Sequence, residues 1–397
     1  KIIKSKHFFE EDFIESIAEV SEDNWKELPE NEELKYIGKP VSRKDGFEKV
    51  SGSAIYTSDI KLPRMVVARI LRSPFPDARI KNIDTSEAEK LDGVLKIISH
   101  KNTPKIKWYG DTSLLFDPHL RYQGDEVACV AAEDEATTIE AMKLIKVDYE
   151  ENPFVADVKN AMNEGSPKVH EDGNVMFGGP NKYSRGNTEE GLNEADEVIE
   201  DKYTTQVVIH NPTEVHCSVV DWDDNKLKVY DSTQAIFGVR DRVAQSLDMP
   251  SANVQVIKKY MGGGFGSKLE AGKYTVMAAL ISQDLGRPVK IMNDRKEMNL
   301  AMGNRPDSVQ KLKVGVKKDG TITALDHYSI GTGGAYPSGA GCSWPLRTMY
   351  KCANVNVEEY SLYTNAGKGR PFRAPGHVQG FFGLESLLDD AAEKIQT

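Results

Sequence analysis

The sequence predicts an α+β protein: a compact α+β domain at residues 39–152, followed by an α/β region at residues 197–397. Three observations carry this expectation. Short apolar runs of strand length alternate with segments of good helix formers. Turn signals separate neighbouring strands, at Asp223-Asp224-Asn225 and at Asp319-Gly320. Finally, Met261–Lys268 holds four glycines in five positions between a strand-like and a helix-like stretch.

Taken in order, residues 1–38 read as an N-terminal arm or linker. Phe8 to Val20 places apolar residues at 8, 9, 13, 14, 17 and 20 among acids, which predicts a short amphipathic helix. The acidic stretch Asn24–Lys35, with Pro29, predicts a linker, and a plain surface tail is the alternative. In the first domain, Val66–Leu71, Gly93–Ile98, Glu126–Ala132 and Lys146–Tyr149 read as strands. Ser86–Leu91 and Asp134–Ile145 read as helices. Residues 153–196, rich in Pro, Gly and Asn, form a connecting segment.

The second region has strand-like Glu197–Ile209, Val219–Trp222, Lys226–Tyr230, Asn253–Tyr260, Val289–Met292, Gln310–Val316 and Thr321–Tyr328. Val239–Leu247, Leu269–Leu285 and Gly380–Ile395 read as helices. Gly331–Gly341 carries too many glycines for regular structure.

Composition excludes several classes of function. Hydrophobic residues at 39% and charged residues at 28% are those of a globular chain, not a disordered one. No apolar run approaches the ~20 residues that span a bilayer, and no stretch is ordered like a signal peptide, so a cytoplasmic location is expected. A net charge of −10 argues against nucleic-acid binding. Cys129, Cys217, Cys342 and Cys352 lie scattered with no Cys-x-x-Cys pair, which gives no disulfide framework, zinc site or iron–sulfur site. A chain opening on Lys1 is compatible with a processed or partial product.

The glycine run is the leading candidate site. Glycine lets a backbone approach a ligand closely, and a glycine run opening onto a helix aims unpaired N–H groups at an oxygen-rich ligand. Ser267 stands where both a P-loop and a dinucleotide fingerprint need glycine, so neither motif fits. A turn without a ligand is the alternative. Asp231-Ser232-Thr233-Gln234 ends a strand and offers a neutral amide donor, or a capping cluster. Gly369–Gln379 is a stiff Pro/Gly loop whose Arg373 could hold an anionic or carbonyl oxygen, or could tie loops together. His210-Asn211-Pro212-Thr213-Glu214-Val215-His216 has metal-compatible residue types, but ligands along one strand give poor tetrahedral geometry, so a polar strand is preferred.

These segments together resemble the molybdenum-cofactor subunits of the xanthine oxidase family, the molybdenum hydroxylases. The likeness rests on Gly38-Lys39-Pro40-Val41, Lys49–Gly52 with Ala54–Ile60, Arg121–Ala128, Val147–Glu150, Ser232-Thr233-Gln234, Gly262–Lys268 and Phe372–Gly376, in register over some 350 residues. It implies the family's a/b hammerhead domain followed by its first molybdenum-cofactor-binding α/β domain.

The resemblance also implies a molybdenum–pterin group, commonly molybdopterin cytosine dinucleotide, with a terminal sulfido or selenido ligand and no protein metal ligand. Gln234 matches the glutamine that hydrogen-bonds an oxo ligand. Gly263, Gly264, Phe265 and Gly266 match the loop against the metal, with Phe265 also placed at the reacting centre. Arg373 matches an arginine that faces cofactor and substrate. The implied reaction is hydroxylation with water as oxygen source, electrons leaving through iron–sulfur clusters towards FAD on partner subunits.

Two departures shape the expectation. Family members continue for several hundred residues beyond this stretch, and that half carries the general base. A second molybdopterin-binding subunit is therefore expected, as in split members of the nicotinate dehydrogenase type, besides an iron–sulfur subunit and a flavin subunit. This chain alone should be inactive. Leu269 stands where purine-oxidising members carry a glutamate, which points to another N-heteroaromatic ring or an aldehyde. The readings kept open are a hydroxylase of N-heteroaromatics, an aldehyde oxidoreductase with the same cofactor, and a non-catalytic scaffold or maturation partner.

Overall fold

A computed structural model describes residues 34–396 together with the backbone of strands Ile2–Phe9 and Asp12–Glu19. The chain divides into two units, Lys1–Ala54 and Ile55–Thr397. In the first, the two strands pair antiparallel, with Ile3 opposite Ala18, His7 opposite Ile14 and Phe8 opposite Phe13. The amphipathic helix expected over Phe8–Val20 is therefore corrected. The ladder runs from Ile2 to Phe9 against Asp12 to Glu19 and so takes in Ile2 and Ile3, which a helix starting at Phe8 leaves out. The linker expected at Asn24–Lys35 falls almost wholly outside the described residues.

The second unit is organised by a seven-stranded sheet that draws on both halves of the sequence. Its order is Val254–Ile257, Lys226–Asp231, Cys217–Asp223, Val289–Met292, Val66–Arg72, Glu126–Ala132, Val94–Ser99. The junction is a parallel pairing that sets Val289 opposite Val66 and Ile291 opposite Ala68. Glu126–Ala132 is buried at every position, which explains its continuous apolar run. Charge reinforces the same seam. Arg72, its side chain only 7% exposed, meets Glu297 at 2.9 Å and Asn293 at 2.7 Å, and buried Lys273 meets Glu126 at 2.9 Å.

The helix Lys273–Leu285 covers this sheet, with Tyr274, Val276, Met277, Ala278, Ala279 and Ile281 in the core. Glu135–Leu144 is the expected second helix of the first region, capped by Asp134, which accepts from the Thr137 N–H. Ala78–Asp84, not anticipated, pairs with Lys146–Glu151 in a three-stranded sheet.

A five-stranded sheet follows, in the order Asn181–Arg185, Asn354–Tyr363, Ile322–Gly334, Ser308–Val316, Glu197–Thr205. The C-terminal helix His377–Ile395 packs on it through Leu384 and Leu387 against Leu312 and Val314. Here the reading of Gly331–Gly341 is partly corrected, since the strand continues through Gly334. A Cβ on Gly333 would lie 2.5 Å from Met176 Cε, so that glycine serves packing. All four cysteines are free and buried. No helix among the described residues is long and apolar enough to cross a membrane.

Candidate functional site

The run 261–268 follows the strand Val254–Ile257 and has no regular structure, and the next helix begins only at Lys273. The expected helix over Leu269–Leu285 is thus shorter, and the glycine run does not open directly onto it. The cause is local. The Lys268 carbonyl accepts from the Gln234 N–H (2.8 Å) and the Thr233 hydroxyl (3.0 Å), which keeps it out of a helical ladder.

The glycines of the run make room for protein neighbours. A Cβ on Gly262 would stand 2.5 Å from Glu214 Cβ, and one on Gly264 would stand 2.5 Å from Gln234 Oε1. One on Gly266 would stand 2.0 Å from the Pro371 carbonyl oxygen. Gly262 N–H donates to Glu214 Oε2 (2.9 Å), and Gly266 N–H donates to Gln234 Oε1 (2.7 Å). By contrast, the N–H groups of Gly263, Gly264 and Phe265 make no hydrogen bond among the described residues. Gly263 (φ 98°) and Phe265 (φ 54°) are left-handed while Gly264 between them is not. Such alternation turns successive N–H groups into a concave nest for an anion or an oxygen.

Gln234 sits half-buried beside this nest, just after the strand Lys226–Asp231. Because its Oε1 is taken by Gly266, its side-chain NH2 is the end left to donate. Asp231, at the strand end, is fully buried and accepts from the hydroxyls of Ser218 (2.5 Å) and Thr275 (2.9 Å). Burial pushes its carboxyl up to about 6. Between its ordinary pKa of 3.8 and about 6 the folded state holds a proton that the unfolded state has lost, so stability falls as pH rises through that window. Asp231→Asn is expected to flatten thermal midpoints measured from pH 4 to 7, recovering on the order of 2 kcal/mol above pH 6. A slope matching the unsubstituted protein would contradict this.

The loop 369–379 docks on the glycine run. Arg373 N–H donates to the Phe265 carbonyl (2.8 Å), and buried Arg370 donates to the Ser267 carbonyl (2.6 Å). Arg305 holds the carbonyls of Arg373 (2.9 Å) and Ala374 (3.3 Å), whose φ is 59°. Tying the loops together therefore falls to Arg370 and Arg305. The guanidinium of Arg373 is exposed and makes no hydrogen bond or ion pair among the described residues. Phe265 and Leu269 are each 42% exposed.

The segment His210–His216 is an irregular stretch and not a strand, with Asn211 left-handed (φ 43°) and a bend at Thr213-Glu214, and no group of residues able to hold a metal ion occurs among the described residues. His210 Nε2 donates to the Pro371 carbonyl (2.8 Å), with its ring stacked on Phe372. His216 is buried, and burial drives its pKa well below the ordinary value. Lys268 is buried, and its ammonium meets Glu214 Oε2 and the Glu214 carbonyl, both at 2.9 Å. Burial lowers the Lys268 pKa, opposed by the Glu214 charge.

A cleft of about 510 Å³ opens beside the 369–379 loop, with Phe177, Trp344, Phe372 and Pro375 among its apolar walls and Lys368 and Arg370 among its cations. A second cleft of about 490 Å³, beside Lys226, Phe237 and Arg240, includes no residue of the glycine run or of that loop.

Residues 51–153 match the aldehyde oxidase and xanthine dehydrogenase a/b hammerhead domain, and residues 169–397 match the molybdopterin cofactor-binding domain. The chain is 31% identical over 369 residues to the nicotinate dehydrogenase large molybdopterin subunit of Eubacterium barkeri, a match covering 90% of this chain and 86% of that one. The chain belongs to the xanthine oxidase family.

Within that family it is also 32% identical over 375 residues to the xanthine dehydrogenase molybdenum-binding subunit of Escherichia coli O157:H7, covering 89% of this chain and 49% of that one. Quinoline 2-oxidoreductase from Pseudomonas putida 86 superposes with a TM-score of 0.83 at 27% identity, covering 90% of this chain and 48% of that chain. The chain thus spans about half the length of these last two relatives. The expected order, a hammerhead domain and then a molybdopterin-binding domain, is shown. Gln234, the 263–266 loop and the backbone of Arg373 come together in one place. The sequence did not reveal Arg370 and Arg305 as the loop ties, nor the Glu214–Lys268 pair, whose members lie 54 residues apart.

Proposed function

We propose that this chain holds a molybdenum–pterin group, in the cytosine dinucleotide form, against the Gly263–Phe265 nest. With a second molybdopterin-binding chain it hydroxylates an N-heteroaromatic substrate, water supplying the oxygen. Electrons pass to iron–sulfur and flavin subunits. The observation that carries this reading is the set of three unpaired N–H groups beside a Gln234 side chain whose Oε1 is held by Gly266 and whose NH2 has no partner among the described residues. All are neutral donors, which suits an oxygen-bearing group whose metal needs no protein ligand. When bound, the group supplies two-electron oxidation and activation of water.

The residues of this chain then have distinct tasks. Gln234 donates to an oxygen of the group and so fixes its orientation. The nest amides hold it without adding charge. Arg373, with its guanidinium free, stabilises negative charge that develops on the substrate ring. Phe265, half-exposed, limits water and gives a flat apolar surface to the substrate. The base that removes the proton is supplied by the partner chain. Coverage of 86% of a relative named as one large molybdopterin subunit supports this split arrangement.

The assembled enzyme, assayed in isotopically heavy water against nicotinate-like rings, purines and aldehydes, is expected to put solvent oxygen into a ring substrate. Turnover of aldehydes alone would move the reading to an aldehyde oxidoreductase. Label arriving from dioxygen would overturn it. Leu269 refines the expectation. Leu269→Glu would place an acceptor and a charge where the chain now has neither, and should shift kcat/KM towards purines by about 10-fold or more. Unchanged relative rates would remove Leu269 from the substrate pocket.

A further inference from the structure

Glu214 is tied to both ends of the glycine loop by its side chain and its main chain. Its Oε2 accepts from Gly262 N–H and from Lys268 Nζ, both at 2.9 Å. Its own N–H donates to the Gly262 carbonyl (3.1 Å), and its carbonyl accepts from Lys268 Nζ (2.9 Å). One residue thus closes a ring across residues 262 and 268. Gly262 exists to allow this approach, since any Cβ there would collide with Glu214 Cβ. The pair is almost fully enclosed, at 4% and 1% side-chain exposure, and Glu214 Oε1 is buried without a partner.

A buried ion pair is a poor source of stability, because desolvating two charges offsets most of their attraction. An apolar pair of the same volume would stabilise the loop about as well. What the ion pair supplies is geometry. A single carboxylate oxygen shared by an amide and an ammonium fixes both ends at once.

We propose that Glu214, acting with Lys268, is a positioning residue that sets the conformation of the 262–268 loop. Through the loop it aims the Gly263–Phe265 amides and, by way of Gly266, the Gln234 NH2. This rests on reading the loop as the holder of the molybdenum–pterin group. Neither residue touches the group, and their effect passes through the loop backbone.

The test uses the enzyme assembled with its partner chains, unsubstituted and as Glu214→Gln, Lys268→Met and the charge-neutral double variant. Glu214→Gln is nearly isosteric and keeps an acceptor for Gly262, and the double variant leaves no unpaired charge if a single one fails to assemble. Four readouts apply: hydrogen exchange of the 261–268 peptide, molybdenum content, the Mo(V) paramagnetic resonance spectrum of the reduced enzyme, and kcat with KM.

In the double variant the thermal midpoint should return towards that of the unsubstituted enzyme. Its loop amides should still exchange about 10-fold faster, its Mo(V) spectrum should be altered, and kcat should fall by about 10- to 100-fold with KM unchanged. Recovery of loop exchange, spectrum and kcat together with the midpoint would show a purely structural pair and overturn the proposal. An unsubstituted assembly without molybdenum would instead sink the cofactor reading, while loop exchange would still decide whether Glu214 orders the loop.

Discussion

Gly266→Ala is expected to separate the two loops of the site and to abolish molybdenum retention. Two independent constraints meet at this position. The backbone has φ 111°, a region open in practice to glycine alone. A Cβ would also stand 2.0 Å from the Pro371 carbonyl oxygen and 2.6 Å from its carbon, and backbone cannot rotate away as a side-chain tip can. Either the 369–379 loop retreats or residue 266 changes its hand, at a cost on the order of 2–4 kcal/mol. Retreat would break the Arg373 N–H bond to Phe265, and rotation would break the Gly266 N–H bond to Gln234. Thermal unfolding and metal analysis of the assembled variant check this. Full molybdenum content with an unshifted midpoint would show that the loops are not coupled there.

Gln234→Ala is the second large effect. Gly266 N–H loses its acceptor and the site loses a neutral side-chain donor beside the nest, so kcat should fall by about 100- to 1,000-fold. Gln234→Glu separates these contributions. Its carboxylate can still accept from Gly266, so the loop and the midpoint should hold, but an acceptor and a negative charge replace the donor. The account predicts that both variants lose activity and that only alanine loosens the loop in hydrogen exchange. An active Gln234→Glu enzyme would show that the side chain serves the loop alone.

The sequence revealed those parts of the molecule whose signal is local. Glu126–Ala132 shows itself as an apolar run because the strand is covered on both faces, and Asp134 shows itself as a cap three residues before Thr137. Gln234 and the 263–266 run were legible as residue types suited to neutral donation. The pairing of Val289–Met292 with Val66–Arg72 was not, since nothing in either segment names a partner more than two hundred residues away. The N-terminal hairpin was missed because six apolar positions fit a helical stripe as well as a strand pair.

The glycines were more instructive. Their spacing suggested a ligand pressed against bare backbone. In the structure Gly262, Gly264 and Gly266 are filled by Glu214, Gln234 and Pro371. What the loop leaves open is the trio of unpaired amides of Gly263, Gly264 and Phe265, which no composition can display. Arg373 gave the opposite lesson. A structural tie and a free surface cation are the same letter in a sequence, and only the exposed guanidinium of Arg373 beside the fully engaged Arg370 and Arg305 separates them.

The central claim is that this chain carries a molybdenum–pterin group within a multi-chain enzyme. Its most direct test is anaerobic purification of the native assembly, with metal analysis and mass spectrometry of the subunits. The account predicts about one molybdenum per copy of this chain, together with a second pterin-binding chain and an iron–sulfur chain. This chain recovered intact, alone and free of molybdenum would contradict it.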